Sequence, residues 1–191
     1  MELNLAHSRL HHRLITILIL ALLLVAGGAA AFMLLRSHLA GPRRLAAFSE
    51  SGVAVEIRLE RDASGASLLA ATFSPEGKGF HLYASDLPRE GVGGLGRPTL
   101  LELPLQAKMQ PDGPMQESVS AGPLEVVPGQ AGLQVYPEGP VTLRLPVKLP
   151  AGCSGQVEDQ VSVTYMACSS NGCRRPVIER LVDVEIPCAQ R

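Results

Sequence analysis

Residues 157–186 read VEDQVSVTYMACSSNGCRRPVIERLVDVEI. An alternating run over 157–167 leads into Cys168-Ser169-Ser170-Asn171-Gly172-Cys173, and a second apolar run leaves from Pro176. Alternation of that length marks a strand with one buried face. Asn-Gly between two such runs supplies the positive φ angles of a tight reversal. The stretch therefore predicts a β-hairpin, with 157–167 and 177–186 as adjacent antiparallel strands and a cysteine pair at the tip. A Cys168–Cys173 disulfide closes a very small ring, worth roughly 2 kcal/mol on chain-entropy grounds, against about 4 for a ring several times longer. A bridge that stabilises so little at an exposed tip suits exchange better than stapling. An ordinary bridged hairpin is the competing reading.

Cys153 lies as far before Cys168 as Cys188 lies after Cys173. One uninterrupted antiparallel register therefore sets both pairs directly opposite, at Cα separations that a disulfide accepts. The other two pairings join opposite ends of extended strands. Cys153–Cys188 is expected as a structural clasp at the open end and Cys168–Cys173 as the working pair. The same register opposes Glu158 to Asp183, a like-charge contact that favours a slip of a residue or two.

The chain has 191 residues and a formal net charge of −1, which gives no electrostatic case for nucleic acid. Gly 19, Pro 15 and many short alternating runs point to one all-β domain of about 140 residues once an N-terminal apolar segment is set aside. With no Trp and 4% aromatics, its core must rest on Val, Leu and Ile. Four cysteines at hairpin spacing indicate an exported domain, because cytosolic proteins rarely keep such pairs oxidised.

That N-terminal segment, LITILILALLLVAGGAAAFMLL (14–35), carries no charge and is long enough to span a bilayer as a helix. A cleavable signal peptide is the rival, since Ala29-Ala30-Ala31 offers a cleavage site. The apolar run continues through Leu35, which favours an uncleaved single-pass anchor. Arg9 and Arg13 on one side face Arg36, Arg43 and Arg44 on the other, so orientation rests on the cysteines. The expected organisation is an anchor over 1–36, a linker over 37–52 and a β-sandwich over 53–188. The expected location is the inner membrane, with the C-terminal domain in the periplasm or otherwise outside the cytoplasm.

Strands are expected at 53–60, 66–73, 79–84 and 99–107, around 124–127 and 133–136, and at 141–149, ahead of the hairpin. Seven to nine strands at this spacing make a β-sandwich the expected architecture. Residues 85–98 (SDLPREGVGGLGRP) read as a long flexible loop, a common place for function.

The ending VTYMACSSNGCRRPVIERLVDVEIP resembles the C-terminal part of the immunoglobulin-like N-terminal domain of the DsbD thiol–disulfide interchange proteins. Val163, Tyr165, Cys168, Cys173 and Pro176 match that family's Val-x-Tyr, Cys, Cys and Pro pattern. GFHLYASDLP (79–88), followed by RPTLLEL (97–103), is similar to an upstream segment of the same domain. The resemblance implies an immunoglobulin-like sandwich over 53–187 and a redox-active disulfide at Cys168 and Cys173. It also implies partners: a membrane thiol transporter, and an envelope thioredoxin-like or disulfide-bearing protein, in the setting of cytochrome c biogenesis. The chain departs from the family in several ways. It has neither the multi-helix membrane domain nor the thioredoxin domain of those proteins, no aromatic in the 85–98 loop to shield the cysteines, and an additional pair, Cys153 and Cys188.

Exchange requires an accessible thiolate. Arg174 and Arg175 follow Cys173, and their charge favours its thiolate, making Cys173 the expected sulfur of mixed disulfides. The competing reading leaves both arginines merely solvated. His81, Tyr83 and Tyr165 are candidate neighbours of the pair, weighed against ordinary half-buried or core positions. Cys-x4-Cys approaches zinc spacing, and Met166 suits Cu(I), but ligands at two ends of a hairpin do not converge, so no metal is assigned. No cofactor is implied, and no Ser-His-Asp or paired-carboxylate arrangement supports hydrolysis. The non-enzymatic alternative is an anchored β-sandwich binding module with purely structural disulfides.

Overall fold

The structure, a computed structural model, describes residues 41–124 and 133–189. The expected anchor at 14–35 lies outside the described residues. In chain order the strands are β1 (Arg43–Glu50), β2 (Val53–Arg61), β3 (Ser67–Pro75), β4 (His81–Leu82), β5 (Leu100–Glu102), β6 (Gln110–Pro111) and β7 (Gln116–Glu117). They continue as β8 (Gly122–Pro123), β9 (Gln134–Val135), β10 (Val141–Lys148), β11 (Gln156–Tyr165), β12 (Ala167–Ser169), β13 (Gly172–Cys173) and β14 (Val177–Pro187). Among the described residues there is no helix.

The largest sheet runs β1-β2-β3-β10-β6, with β7 also paired to β10; a second runs β14-β11-β5. A small sheet, β13-β12-β4, and the β8–β9 ribbon complete the fold. Side-chain alternation decides how the two large sheets meet. Val53, Val55 and Ile57 of β2, Leu69, Ala71 and Phe73 of β3, and Val141, Leu143 and Val147 of β10 point into one core. Leu101, Val161, Val163, Tyr165, Val182, Val184 and Ile186 fill that core from the second sheet. Phe73 is fully buried and meets the Tyr165 ring edge-on at 5.6 Å. Truncating it to alanine would cost about 3–5 kcal/mol. The result is an all-β, sandwich-like domain.

Three local expectations are corrected. Residues 43–50, read as linker, form β1 and pair along β2 from Arg43 opposite Leu59 to Glu50 opposite Val53. Leu45, Ala46 and Phe48 pack against the core, so this apolar content was enough to add an edge strand. The strand expected at 79–84 shortens to β4 and that at 99–107 to β5, while 125–127 lie outside the described residues.

The hairpin strands pair as expected, but in a register two residues away from the one that the cysteine spacing suggests. Val157 faces Ile186 and Val161 faces Val182. A slip of two keeps every side chain on its face, so the hydrophobic pattern cannot tell the registers apart. The return strand absorbs the difference. Val163 faces Arg180 but Tyr165 faces Val177, a bulge around Glu179, whose φ is 46°. The Thr164 hydroxyl accepts the Glu179 N–H at 2.9 Å, satisfying the donor freed by the bulge. One more residue is taken up before Cys173 comes to face Cys168. Like-charge repulsion does not explain the slip, since Glu158 now faces Glu185.

Candidate functional site

Both expected disulfides are present in the structure. Cys168–Cys173 joins β12 to β13 at the tip, with Cα atoms 4.0 Å apart. Cys153–Cys188 closes the other end, with Cα atoms 5.7 Å apart. There the Cys188 N–H donates to the Gly155 carbonyl and the Ala189 N–H to that of Pro150, fixing the clasp in a hydrogen-bonded crossing.

The tip turn differs in detail from the expectation. Of Asn171 and Gly172 only the glycine has positive φ, at 134°. The Ser169 hydroxyl stabilises the turn by accepting the Asn171 N–H at 3.3 Å. The two tip cysteines are not equally exposed. Cys173 is exposed, whereas Cys168 is 2% exposed. Ala167 and Cys168 explain this by alternation: Ala167 faces the main core and Cys168 the opposite side.

On that side Cys168 sits in a second apolar cluster with Tyr83, Leu87 and Leu133, flanked by Val92, Leu124, Val135 and Met166. The cover over Cys168 is thus Tyr83, just after β4, with Leu87 of the 85–98 loop and Leu133 ahead of β9. That loop has no aromatic and needs none. Nor is it the unstructured connector that its glycines suggest. The Arg97 guanidinium donates to the carbonyls of Glu90, Gly94 and Gly96. Arg89 pairs with Glu102 and with Glu179, the latter at 3.3 Å. The Thr99 hydroxyl donates to the Tyr83 carbonyl at 2.7 Å. At the loop's start the Ser85 N–H donates to the Tyr136 hydroxyl, which in turn donates to Glu117 at 2.6 Å. Burial and the Glu117 carboxylate push the Tyr136 phenol well above its ordinary pKa, so it remains a donor. Gly96, at φ +77°, lies so close to the cover that a Cβ there would stand 2.9 Å from the Tyr83 ring and 3.1 Å from Leu87.

The candidate neighbours separate. His81 is directly opposite Cys168 across the β4–β12 ladder, which puts both side chains on the same face. Its ring meets Tyr83 edge-on at 5.8 Å, and its buried Nε2 has no hydrogen-bond partner among the described residues. Burial holds its pKa below the ordinary value, with the Glu138 carboxylate opposing. Tyr83 belongs to the cover, and its burial raises its phenol pKa. Tyr165 does not join the site. It lies in the main core and donates to the Glu50 carbonyl at 3.2 Å, with its pKa raised to about 12 chiefly by burial. Arg174 is exposed with its guanidinium over the Phe80 ring at 4.9 Å, and Arg175, two residues after Cys173, is exposed as well. Leu87, Leu133 and Glu138 were not singled out in the sequence; nothing local marks apolar loop residues that cover a sulfur 35 or more positions away.

A cleft of about 690 Å³ lies elsewhere, lined among others by Arg43, Arg44, Lys108, Asp159 and Asp183. It contains neither disulfide, and the Asp159 carboxylate is occupied by the backbone N–H groups of Lys108, Met109 and Gln160.

No protein-family model and no curated protein matches the chain. Among solved structures, the chain is similar to the reduced form of the DsbD N-terminal domain of Neisseria meningitidis, with a TM-score of 0.35 and 15% sequence identity. The match covers 64% of this chain and 76% of that one. That domain is of the family that the cysteine hairpin resembles in sequence.

Proposed function

We propose that this chain is a membrane-anchored thiol–disulfide exchange protein with an immunoglobulin-like domain. Its Cys168–Cys173 pair passes two electrons between a membrane thiol transporter and a thioredoxin-like or disulfide-bearing acceptor in the periplasm. In this reading the apolar run at 14–35 holds the domain to the inner membrane. The observation that carries the proposal is the asymmetry of the pair: Cys173 is exposed, while Cys168 is 2% exposed beneath the Tyr83, Leu87 and Leu133 cover. A purely structural bridge has no need of one accessible and one shielded sulfur.

The exchange follows from that asymmetry. A donor thiolate attacks the Cys173 sulfur, the S–S bond breaks, and its electron pair leaves on the Cys168 sulfur, which takes up a proton. The donor's second thiolate then attacks the donor sulfur in the mixed disulfide. Cys173 is released as a thiolate, the donor is left as a disulfide and this domain as a dithiol. The acceptor half runs in reverse order. The Cys173 thiolate attacks the acceptor disulfide, and Cys168 attacks Cys173 to release the acceptor as a dithiol. Arg174 and Arg175 follow Cys173 in sequence, and their positive charge favours its thiolate form.

The test uses Cys168→Ala in the full chain in cells, with free thiols quenched by acid. Without Cys168 the Cys173 mixed disulfides cannot resolve, and a covalent adduct of defined mass should accumulate that reductant dissolves. Cys173→Ala should give none. Absence of any adduct on Cys168→Ala would leave an anchored binding module with structural disulfides.

A further inference from the structure

The exchange cycle has one chemically awkward step, and the cover creates it. When the bridge opens, the electron pair leaves on Cys168, the sulfur placed in an apolar cluster. A thiolate there loses hydration, and burial in apolar surroundings raises a thiol's pKa and makes it a poor leaving group. The Tyr83, Leu87 and Leu133 side chains that shield the sulfur bring no charge to offset this.

The β4–β12 ladder supplies the missing polar atom. His81 is the residue opposite Cys168, and its ring shares a face with Cys168 and Tyr83. In the disulfide form its buried Nε2 has no partner among the described residues. A buried nitrogen left unpaired costs about 1–3 kcal/mol, a penalty that folded proteins rarely retain without a use. A disulfide sulfur offers it almost nothing, whereas a thiol or thiolate is a donor or an acceptor.

We propose that His81 is the proton and hydrogen-bond partner of the Cys168 sulfur in the reduced protein. This inference rests on the exchange reading above and specifies how the shielded sulfur leaves and resolves. As the S–S bond breaks, the imidazole takes up a proton from solvent and Nε2 delivers it to the electron pair on Cys168, which leaves the ring neutral and Cys168 a thiol. In the return half-cycle the neutral Nε2 accepts the Cys168 thiol proton as Cys168 attacks Cys173, and the imidazolium so formed releases it to solvent. The charged and titratable groups around the ring fit this role. Glu138 acts on it electrostatically and accepts the neighbouring Gly79 N–H at 3.1 Å. Tyr83 meets it edge-on, Cys168 and Cys173 lie on the paired strands, and the Arg174 guanidinium is turned onto Phe80, next in sequence to His81. Burial keeps the ring neutral in the oxidised form, which leaves Nε2 free to respond when charge appears on the sulfur.

The test is an NMR titration of the His81 ring in the full chain, oxidised and then reduced with a phosphine, with His81→Gln used to assign the signal among the five histidines. Reduction should move the His81 midpoint downward by about one pH unit, because the Cys168 thiol can donate to Nε2 only while the ring is neutral. The equilibrium with glutathione should move about tenfold toward the disulfide in His81→Gln and in His81→Phe, since the reduced state alone loses a partner. An unchanged midpoint on reduction, or variants with wild-type glutathione equilibria, would overturn the assignment. Phosphine reduction opens the bridge whatever its physiological role. The titration therefore still reads His81 if the cellular trapping of Cys173 fails, and the two proposals stand or fall separately.

Discussion

Gly96→Ala should uncover Cys168 without unfolding the domain. Two costs act at this position. Its φ of +77° is left-handed backbone, which costs a residue with a Cβ about 1–2 kcal/mol. The added methyl would stand 2.9 Å from the Tyr83 ring and 3.1 Å from Leu87, a local overpacking worth about 1–3 kcal/mol before the neighbours give way. Both fall on the 85–98 loop and the Tyr83 cluster, so the closed cover should lose about 2–3 kcal/mol. Opening would then become roughly 30- to 150-fold more frequent. The assay is alkylation of Cys168 in a Cys173→Ala background, followed by intact-mass measurement, with the Cys153–Cys188 bridge left closed. Cys168 should label faster by that factor in Gly96→Ala, while the denaturation midpoint moves far less. Equal labelling rates with and without the substitution would refute the claim that this loop and Tyr83 cover the sulfur. So would an acceleration matched by a fully equivalent loss of global stability.

Removing the clasp with Cys153→Ala and Cys188→Ala should cost about 3–4 kcal/mol in urea denaturation, because it closes a loop with a sequence separation of 35. A cost below 1 kcal/mol would contradict its stapling role. Asp159→Ala should cost about 2–4 kcal/mol by leaving the Lys108 and Met109 N–H groups without their carboxylate partner; a neutral result would show that water replaces it. His81 sets a pH dependence whose sign follows from its lowered pKa. Below about pH 6.5 the unfolded chain binds a proton that folded, neutral His81 refuses, so stability present above 6.5 declines as pH falls toward the folded value. His81→Phe should flatten that part of the stability profile, and an unchanged acid slope would exclude His81 as its source.

Much of the fold is legible in the sequence because period-two alternation survives without tertiary information. Residues 53–60, 141–149 and the two hairpin runs read as strands and are strands. The register was not legible. A two-residue slip preserves every face, and the bulge that creates it at Glu179 has no turn residue to announce it. Strand β1 was missed because a basic, short-side-chain stretch after an apolar run reads as a linker until its pairing partner, β2, is known. The cysteine pairs were legible from their symmetric spacing. The inequality within the tip pair was not, because Cys168 is shielded by Leu87 and Leu133 from distant segments. His81 was visible as an isolated histidine, but only the β4–β12 pairing puts it opposite Cys168.

The central claim is that the tip bridge works and the clasp does not. Its most direct measurement is a glutathione redox titration of the full chain, with the state of each pair read by differential alkylation and peptide mapping. The account predicts that Cys168–Cys173 opens within the range buffered by glutathione, roughly −180 to −250 mV, while Cys153–Cys188 stays closed throughout. Both bridges remaining oxidised at potentials well below about −300 mV would contradict it and make the tip disulfide structural.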